Sequence, residues 1–303
     1  MNFGTSMRLK AIWQSPGKNT MRIALVASLL LALTPVAAHE DPATARYLAN
    51  AGVLIAHGDT RIVFDPLFNE DFGEYRLLPE DLRAALMSGE PPWNSIDAVF
   101  ISHYHDDHFS PADVVDYLLA QPGVRLFAPE QAAAALRAVA GEDSVLLERV
   151  TAVALAYGDQ PRRFEMPGLV IDAVRIPHSG WPTQSADVEN LAWRITLDGG
   201  PTVLHLGDAD TKVAHFTKDA QFWQQRTLHL ALPPYWYFLS VNGLGVLREQ
   251  LRPQHAIGIH VPVTVPDTLD EREQALRQAD LFTKPGETRE VPHEHTERTP
   301  ALN

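Results

Sequence analysis

Ser102-His103-Tyr104-His105-Asp106-Asp107-His108 is the stretch of this 303-residue chain that decides its fold, because it concentrates three imidazoles and two carboxylates. Its first residue, Ser102, ends the apolar run Ile96–Ser102, which predicts a strand buried on both faces. Ligands commonly bind at the carboxyl ends of strands in α/β sheets. Side chains two positions apart in an extended loop point the same way, so His103 and His105 can bind one metal ion together. Asp107–His108 follow where the chain turns, and they can face a second ion.

Three further side chains follow apolar runs that predict strands, and each stands where its strand ends. They are His178, Asp208 and His260. Imidazole and carboxylate groups without thiolate suit Zn²⁺, Mn²⁺ or Fe²⁺. A solvated loop rich in His and Asp is the alternative, but it does not explain why these residues repeatedly fall at strand ends. His255 is a rival to His260 as a ligand, and His205, three residues before Asp208, is expected to face the core.

Short β-rich runs are interspersed with helices but do not alternate strictly with them, which predicts an α/β sandwich and not a barrel. The predicted helices include Leu78–Met87, Ser110–Leu119, Pro129–Ala140 and Leu269–Leu281. From Lys284 to Asn303 the chain is polar, which predicts a loose C-terminal tail over 284–303.

The pattern His-x-His-x-Asp-His, followed by a later His, Asp and His, resembles the metal signature of the metallo-β-lactamase-fold hydrolase superfamily. The resemblance extends roughly from Ala43 to Val263. It implies an α/β fold of the αββα metallo-β-lactamase type, as a single domain over 39–283. It also implies a metal site at one edge, between the two sheets.

The resemblance assigns each candidate ligand to a metal ion. The first ion would be held by His103, His105 and His178, the second by Asp107, His108 and His260, and both by a bridging Asp208. The implied cofactors are two divalent ions, Zn²⁺ in the first place with Mn²⁺ or Fe²⁺ as alternatives, which share a hydroxide that attacks the substrate. Asp107 and Asp208 are the implied catalytic residues, because Asp107 can orient the nucleophile and Asp208 holds the two ions together.

Composition and two short motifs reduce the number of branches of the superfamily to which the chain is similar. A true β-lactamase is not expected. One large class of β-lactamases uses a cysteine at the second metal, and this chain has no cysteine. The other dizinc class lacks the bridging aspartate, which this chain has at Asp208. Tyr47–Ile55 and Phe64–Pro66 resemble the branch of ascorbate-6-phosphate lactonase and the N-acyl-phosphatidylethanolamine phospholipase D-like hydrolases. The diiron redox branch has Glu where this chain has His105. The 25 Lys and Arg against 38 Asp and Glu argue against nucleic acid as a partner.

Aromatic side chains near the candidate ligands form a possible substrate pocket. The candidates are Trp181 and, in a loop led by two prolines, Tyr235, Trp236 and Tyr237. They can wall a pocket for an apolar or acyl substrate or, equally, pack beneath the sandwich. Asp65 also has two interpretations, because it can orient a ligand histidine or form the turn before Pro66.

Residues 1–38 have the layout of a secretory signal peptide. Four basic residues and no acidic ones accompany the apolar run Ile23–Leu33, and small residues precede a cleavage site after Ala38. The run is shorter than the roughly 20 residues that span a bilayer, so a cleaved signal is favoured over a membrane anchor. We therefore expect the mature chain to be periplasmic or secreted, with no stable membrane span.

These features predict an exported metal-dependent hydrolase that cleaves an ester, lactone or phosphodiester bond of a small-molecule substrate at a dinuclear site. The sequence does not choose among these bonds or among oligomeric states. The alternative is a non-catalytic metal-binding protein that retains the hydrolase fold. The complete ligand set argues against this alternative, because a degenerate member would be expected to lose ligands.

Overall fold

The computed structural model describes residues 42–293. The predicted signal peptide at 1–38 and its cleavage site after Ala38 therefore lie outside the described residues, as does the end of the predicted tail. Between residues 42 and 293, no helix is both long and apolar enough to cross a lipid bilayer.

The strands of the described chain form two sheets of seven. The first sheet comprises β1 (Thr44–Ala49), β2 (Gly52–His57), β3 (Thr60–Phe64), β4 (Ala98–Phe100), β5 (Arg125–Pro129), β6 (Val150–Val153) and β14 (Thr288–Glu290). They lie in the order β14-β1-β2-β3-β4-β5-β6. Pairing is antiparallel from β14 to β3 and parallel from β3 to β6.

The second sheet comprises β7 (Arg162–Met166), β8 (Leu169–Arg175), β9 (Leu191–Leu197), β10 (Thr202–His205), β11 (Leu230–Leu232), β12 (His255–Gly258) and β13 (Asp280–Leu281). They lie in the order β13-β12-β11-β10-β9-β8-β7. Pairing is antiparallel from β7 to β10 and parallel from β10 to β13. Both sheets are therefore mixed.

Helices cover the outer faces of both sheets, which confirms the predicted αββα sandwich. They are α1 (Glu80–Ser88), α2 (Pro111–Ala120), α3 (Glu130–Ala140), α4 (Ala214–Thr217), α5 (Ala220–Gln224) and α6 (Val241–Gly245), which continues as a π-helical turn over Val246–Leu251. The apolar side chains of α1 to α3 pack on the first sheet, and those of α4, α5 and the π-helical turn pack on the second. A third apolar cluster fills the space between the sheets.

Strand β9 shows how the sequence encodes these layers. Alternate side chains of a strand point to opposite faces of its sheet. Leu191, Trp193 and Ile195 therefore lie in the cluster between the sheets. Arg194, on the opposite face, is also buried, and it donates hydrogen bonds to the buried carboxylate of Asp172 on β8. Both faces of this strand are covered, as expected for a central strand of a layered α/β protein.

Two predictions near the C-terminus are wrong. Leu269–Leu281 is not a helix but two single 3₁₀ turns, Leu269–Glu271 and Gln274–Leu276, followed by β13. The guanidinium of Arg272 donates hydrogen bonds to the carbonyl groups of three residues in or just before this segment, and these bonds hold the irregular conformation. The acceptors are Pro266, Asp267 and Ala279.

The segment predicted to be a loose tail over 284–303 begins instead with a paired strand. Thr288–Glu290 form β14, which pairs with β1 at the edge of the first sheet, and the next residue, Val291, is buried. The sequence did not indicate this strand because its side chains are all polar. A polar strand is common at a sheet edge, where charged side chains discourage pairing with other chains.

Candidate metal centre

The seven predicted ligands lie together at one edge of the sandwich. Each comes from a loop that directly follows a strand: the loop after β4 supplies four of them, and the loops after β8, β10 and β12 supply one each. They are His103, His105, Asp107, His108, His178, Asp208 and His260. The strand-end argument is therefore confirmed, because chain segments distant in sequence deliver all seven side chains to one place.

One group of candidate ligand atoms comes from His103, His105 and His178. His103 Nε2 lies 3.1 Å from His105 Nδ1. His178 Nδ1 lies 2.7 Å from the carbonyl oxygen of Ser179. Because a carbonyl oxygen only accepts hydrogen bonds, His178 Nδ1 carries the proton and Nε2 presents its lone pair to the site. The local backbone thus fixes the tautomer that a metal ligand requires.

A second group is formed by His108, Asp208 and His260, with Asp107 beside it. His260 Nε2 lies 3.0 Å from Asp107 Oδ2, and His108 Nε2 lies 3.7 Å from the same oxygen. Asp208 Oδ1 is 3.2 Å from His108 Nε2, and its Oδ2 is 3.4 Å from His260 Nε2.

Asp208 lies between the two groups. Its Oδ2 is 3.4 Å from His178 Nε2 in the first group and 3.4 Å from His260 Nε2 in the second. A single carboxylate that contacts both groups has the position of a bridging ligand. This arrangement agrees with the bridging role that the sequence implies for Asp208.

The donor atoms fit divalent cations that would lie among them. His108 Nε2, His178 Nε2 and Asp208 Oδ1 are buried and have no hydrogen-bond partner within residues 42–293. Buried polar atoms are normally paired, so three such atoms in one place need a ligand. Two nitrogens bound tetrahedrally to one Zn²⁺ lie about 3.4 Å apart, and the separations within the two groups are close to this. These His and Asp groups could therefore hold metal ions.

The electrostatic environment favours cation binding over histidine protonation at His103. Burial of His103 lowers its pKa well below the usual value, which keeps this imidazole neutral. Burial by itself raises the pKa of Asp208, but the imidazoles of His260 and His108 hold that pKa well below its usual range. Burial alone lowers the pKa of His108, and the Asp208 and Asp107 carboxylates together raise that pKa well above its usual value. The carboxylates thus favour a positive charge at this place, which a divalent cation would supply.

Asp65 orients two of the candidate ligands. Its Oδ2 accepts a hydrogen bond from His108 Nδ1 at 2.9 Å and from Ser102 Oγ at 2.6 Å, while its Oδ1 accepts from the Ser102 backbone N–H. Since the Ser102 hydroxyl donates to Asp65, its oxygen accepts from His103 Nδ1, 3.0 Å away. Asp65 therefore fixes the tautomer of His108 directly and that of His103 through Ser102. Of the two interpretations of Asp65, the structure supports the orienting one.

We expect Asp65→Asn to weaken metal affinity about 10- to 100-fold, the usual effect of removing such an orienting carboxylate. The amide keeps only one acceptor oxygen, so it cannot accept both from the Ser102 backbone N–H and from His108 Nδ1, and the tautomers of His108 and His103 are no longer both fixed. The measurement is a competition titration with a chromophoric chelator. Asp59→Asn, in the exposed hairpin turn between β2 and β3, is the matched control. Equal affinities in the two variants would contradict this role.

Two buried asparagines support the site, and the sequence argument missed both. Asn50 Nδ2 donates to the Asp107 carbonyl at 2.8 Å, and the Asn50 carbonyl accepts from the backbone N–H of His260. Asn190 Oδ1 accepts from the backbone N–H of Asp208 at 2.9 Å. Asn50 lies within the motif Tyr47–Ile55, so this motif carried the available signal. Asn50, through its side chain and its backbone carbonyl, and Asn190, through its side chain, connect ligand loops that are far apart in sequence.

A close approach of the backbone places Asp208. Gly207 has a φ of 54°, and a Cβ atom there would lie 2.3 Å from Asn190 Oδ1 and 2.6 Å from Ser102 Cβ. Only glycine fits this position, because any side chain would push Asp208 away from the other ligands. His260 itself has a φ of 56°, a conformation unusual for a residue other than glycine. Such strained conformations cluster at functional sites.

The predicted pocket residues divide into two pairs. The Trp236 ring lies 5.3 Å from that of His260 and borders the centre, and the Tyr235 ring packs against Trp236. Tyr237 is fully buried in the core beneath the second sheet, and its hydroxyl donates to the Asp210 carbonyl. The prediction that Tyr237 lines a pocket is therefore wrong.

Trp181 also departs from the pocket prediction. Its ring packs against the rings of Tyr157 and His215, and its carbonyl accepts from the Lys212 ammonium. Within the described part of the chain, no ring contact joins it to the candidate ligands. Trp181 instead helps to hold the loop after His178 against the loop after Asp208.

The two other histidines that the sequence singled out lie apart from the ligand atoms. His205 is fully buried, stacks on Phe64 and contacts the Ala51 carbonyl through Nε2 at 2.9 Å, so it belongs to the core as predicted. His255 pairs with Asp280 at 2.9 Å on the neighbouring strand β13. His260 is therefore the histidine that this segment brings to the centre.

Comparisons with known proteins agree with this fold. The family model described as beta-lactamase superfamily domain matches residues 60–226. A metallo hydrolase from the archaeon Ignicoccus hospitalis is 18% identical, with a TM-score of 0.51 over 81% of this chain and 97% of that chain. The metallo-beta-lactamase fold protein YhfI from Bacillus subtilis is 18% identical, with a TM-score of 0.53 over 83% of this chain and 100% of that chain. No curated protein matches the sequence.

A third solved structure, a possible metal-dependent hydrolase from Veillonella parvula, is 12% identical. Its TM-score is 0.53 over 82% of this chain and 100% of that chain. At these identities the structural likeness shows the fold alone, and the chemistry must be argued from the site.

Proposed function

This chain belongs to the beta-lactamase superfamily, and from that premise we propose that it is a metal-dependent hydrolase with a dinuclear centre. The observation that carries the proposal is the position of Asp208 between two groups of imidazoles, with buried donor atoms that lack partners on both sides. A core that needed only structural polar contacts would pair these atoms with each other or with the backbone.

The proposal assigns each of the seven side chains a place. The first ion would be held by His103, His105 and His178, the second by Asp107, His108 and His260, and both by Asp208. When bound, two divalent ions supply a hydroxide at neutral pH and draw charge from the oxygen of the scissile group. Zn²⁺ suits this mixture of imidazole and carboxylate ligands, and Mn²⁺ and Fe²⁺ are alternatives.

Asp107 is placed to act on the proton of an attacking water. Its Oδ2 lies 3.0 Å from His260 Nε2 and accepts at 3.3 Å from Asn50 Nδ2. Asn50 thereby holds the carboxylate in one orientation. Asp107 can then orient an attacking water by hydrogen bonding in addition to its role as a ligand.

The substrate in this proposal is a small molecule with an ester, lactone or phosphodiester bond. The proposal places an apolar part of this molecule against the Trp236 ring, which lies beside His260, and the adjoining ring of Tyr235. The excess of 38 Asp and Glu over 25 Lys and Arg disfavours a large polyanion such as nucleic acid.

Metal analysis together with a substrate panel tests this function. The purified protein is analysed for bound metals, and turnover is measured with p-nitrophenyl esters, p-nitrophenyl phosphodiesters and lactones, with and without a chelator. We expect about two equivalents of divalent metal and turnover that the chelator abolishes and added metal restores. Bound metal without turnover across the panel would favour a non-catalytic metal-binding protein. Failure to bind metal after reloading would contradict both functions.

A further inference from the structure

Tyr75 lies directly against one of the candidate ligands, although no sequence motif indicated it. It belongs to the loop of residues 65–79, between β3 and α1. Its ring centroid is 4.1 Å from that of His260, with the two planes at 73°, and the side chain is half-buried. The edge-to-face packing fixes the phenol ring beside His260.

The loop that carries Tyr75 is fastened to the ligand segments on both sides. The Glu70 N–H donates to the Asp106 carbonyl at 3.3 Å, within the loop that supplies four candidate ligands. The Val263 N–H donates to the Glu74 carbonyl at 2.8 Å, three residues after His260. These backbone bonds hold Tyr75 at a fixed position relative to the ligands, as a group that acts on substrate requires.

The hydroxyl of Tyr75 is available to a bound molecule. Unlike the buried hydroxyls of Tyr47 and Tyr117, it is not enclosed, and it makes no hydrogen bond to any residue of the described chain. A tyrosine phenol carries its proton at neutral pH, so this hydroxyl can donate a hydrogen bond.

Two other neutral donors near Asp107 and His260 are already engaged or enclosed. Asn50 Nδ2 donates to Asp107, and the Trp236 indole nitrogen is buried. The candidate ligands themselves present lone pairs. The Tyr75 hydroxyl is neither engaged nor enclosed, so it can donate to an oxygen of the substrate that gains negative charge during hydrolysis.

We propose that Tyr75 contacts the substrate and that its hydroxyl donates a hydrogen bond to an oxygen of the scissile ester, lactone or phosphodiester group. This inference rests on the proposed hydrolase function. A fixed donor aimed at an oxygen that gains charge in the transition state stabilises that state more than the ground state.

Tyr75→Phe tests the proposal, because it keeps the ring on His260 and removes only the hydroxyl. With the best substrate of the panel, we expect the kcat/KM of the metal-loaded variant to fall about 100-fold, mainly in kcat, the scale of losing one such donor. Affinity for phenylphosphonate, a non-hydrolysed tetrahedral anion, is expected to fall about tenfold by calorimetry. Metal content and Tm are expected to match those of the wild-type protein.

Tyr104→Phe is the matched control. Tyr104 lies between two candidate ligands, is 36% exposed and packs against His105, so this substitution also removes a phenol oxygen near the centre. We expect its kcat/KM to stay within about twofold of wild type.

The outcomes separate the two proposals. A wild-type protein that binds metal but hydrolyses nothing would overturn the hydrolase function, whereas active wild type with an unchanged Tyr75→Phe variant would overturn only the role of Tyr75. Loss of metal or a lowered Tm in Tyr75→Phe would also overturn that role, because it would show that the hydroxyl supports the structure. An equal loss of kcat/KM in Tyr104→Phe would contradict the specific contact as well.

Discussion

Asp208→Ala is expected to lose at least one bound metal ion and to lower kcat/KM by at least about 10³-fold, the scale of several kcal/mol of charge stabilisation. The side chain is buried, and its two oxygens lie 3.2–3.4 Å from nitrogens of both ligand groups. Of the two candidate carboxylates, Asp208 is the one that lies within 3.4 Å of both His178 and His260, whereas the ion-pair contacts of Asp107 are to His108 and His260.

The charge of Asp208 matters as much as its position. The imidazoles of His260 and His108 hold its pKa well below the usual range, so it is a carboxylate under ordinary conditions. Without it, the imidazoles of the centre face one another with less negative charge between them, and bringing two divalent cations into this space becomes unfavourable. Asp208→Asn keeps the shape and removes the charge, so we expect it to lose metal as well.

Elemental analysis and steady-state kinetics on the same preparations measure these effects. Asp106→Ala is the matched control, because Asp106 lies in the ligand loop beside Asp107 but is exposed. We expect the control to keep both metal content and turnover. An Asp208→Ala protein that retains two tightly bound ions would contradict the assignment of Asp208 as the bridging ligand.

The ligand set could be predicted because each member obeys a local rule. His178, Asp208 and His260 each stand at the end of an apolar run, and strand ends at one edge of a layered sheet are close in space whatever the loops between them do. The four candidate ligands between His103 and His108 are so close in sequence that few backbone conformations would separate their side chains. Local patterns therefore located a site built from four segments.

Asn50, Asn190 and Tyr75 could not be predicted in this way. Asn50 acts on Asp107, 57 positions later, and Asn190 acts on Asp208, 18 positions later. Tyr75 contacts His260 because its loop is hydrogen-bonded to two segments that are far apart in sequence, at Asp106 and Val263. An isolated Asn or Tyr in a loop carries no period or spacing that would indicate such contacts.

The wrong predictions also arise from contacts between residues that a local sequence pattern does not indicate. The aromatic run at Tyr235–Leu239 forms a 3₁₀ turn, which directs successive side chains to different sides, so Trp236 borders the centre while Tyr237 enters the core. The apolar spacing of Leu269–Leu281 is compatible with a helix. However, the Arg272 guanidinium instead joins the carbonyl groups of Pro266 and Asp267, before the segment, to that of Ala279 near its end. In both cases tertiary contacts override a local preference.

Metal removal is expected to lower the Tm of the wild-type protein by roughly 8–16 °C. Ions that bind only the folded chain stabilise it by RT ln(1 + [L]/Kd), about 4 kcal/mol when the free ion is at 1,000 times its Kd, and each kcal/mol moves the Tm of a domain of this size by roughly 2–4 °C. The unfolded chain lacks the assembled site, so the binding energy belongs to the folded state.

The structural reason is the free-energy cost of burying ligand atoms that have no hydrogen-bond partner. His108 Nε2, His178 Nε2 and Asp208 Oδ1 are removed from water without a partner in the described chain, and unpaired groups of this kind destabilise the fold. Bound ions satisfy these atoms, so the same contacts that would serve catalysis also support the edge of the sandwich where four ligand loops meet.

Calorimetry of the chelated protein, before and after addition of Zn²⁺, measures this shift. Asp208→Ala is the informative comparison: if Asp208 joins both ions to the fold, its Tm responds to Zn²⁺ by less than half of the wild-type shift. Asp106→Ala is expected to respond like the wild type. Identical Tm values for chelated and Zn²⁺-loaded wild-type protein would contradict the metal centre itself, because ions bound by buried ligands from four segments cannot leave the unfolding equilibrium unchanged.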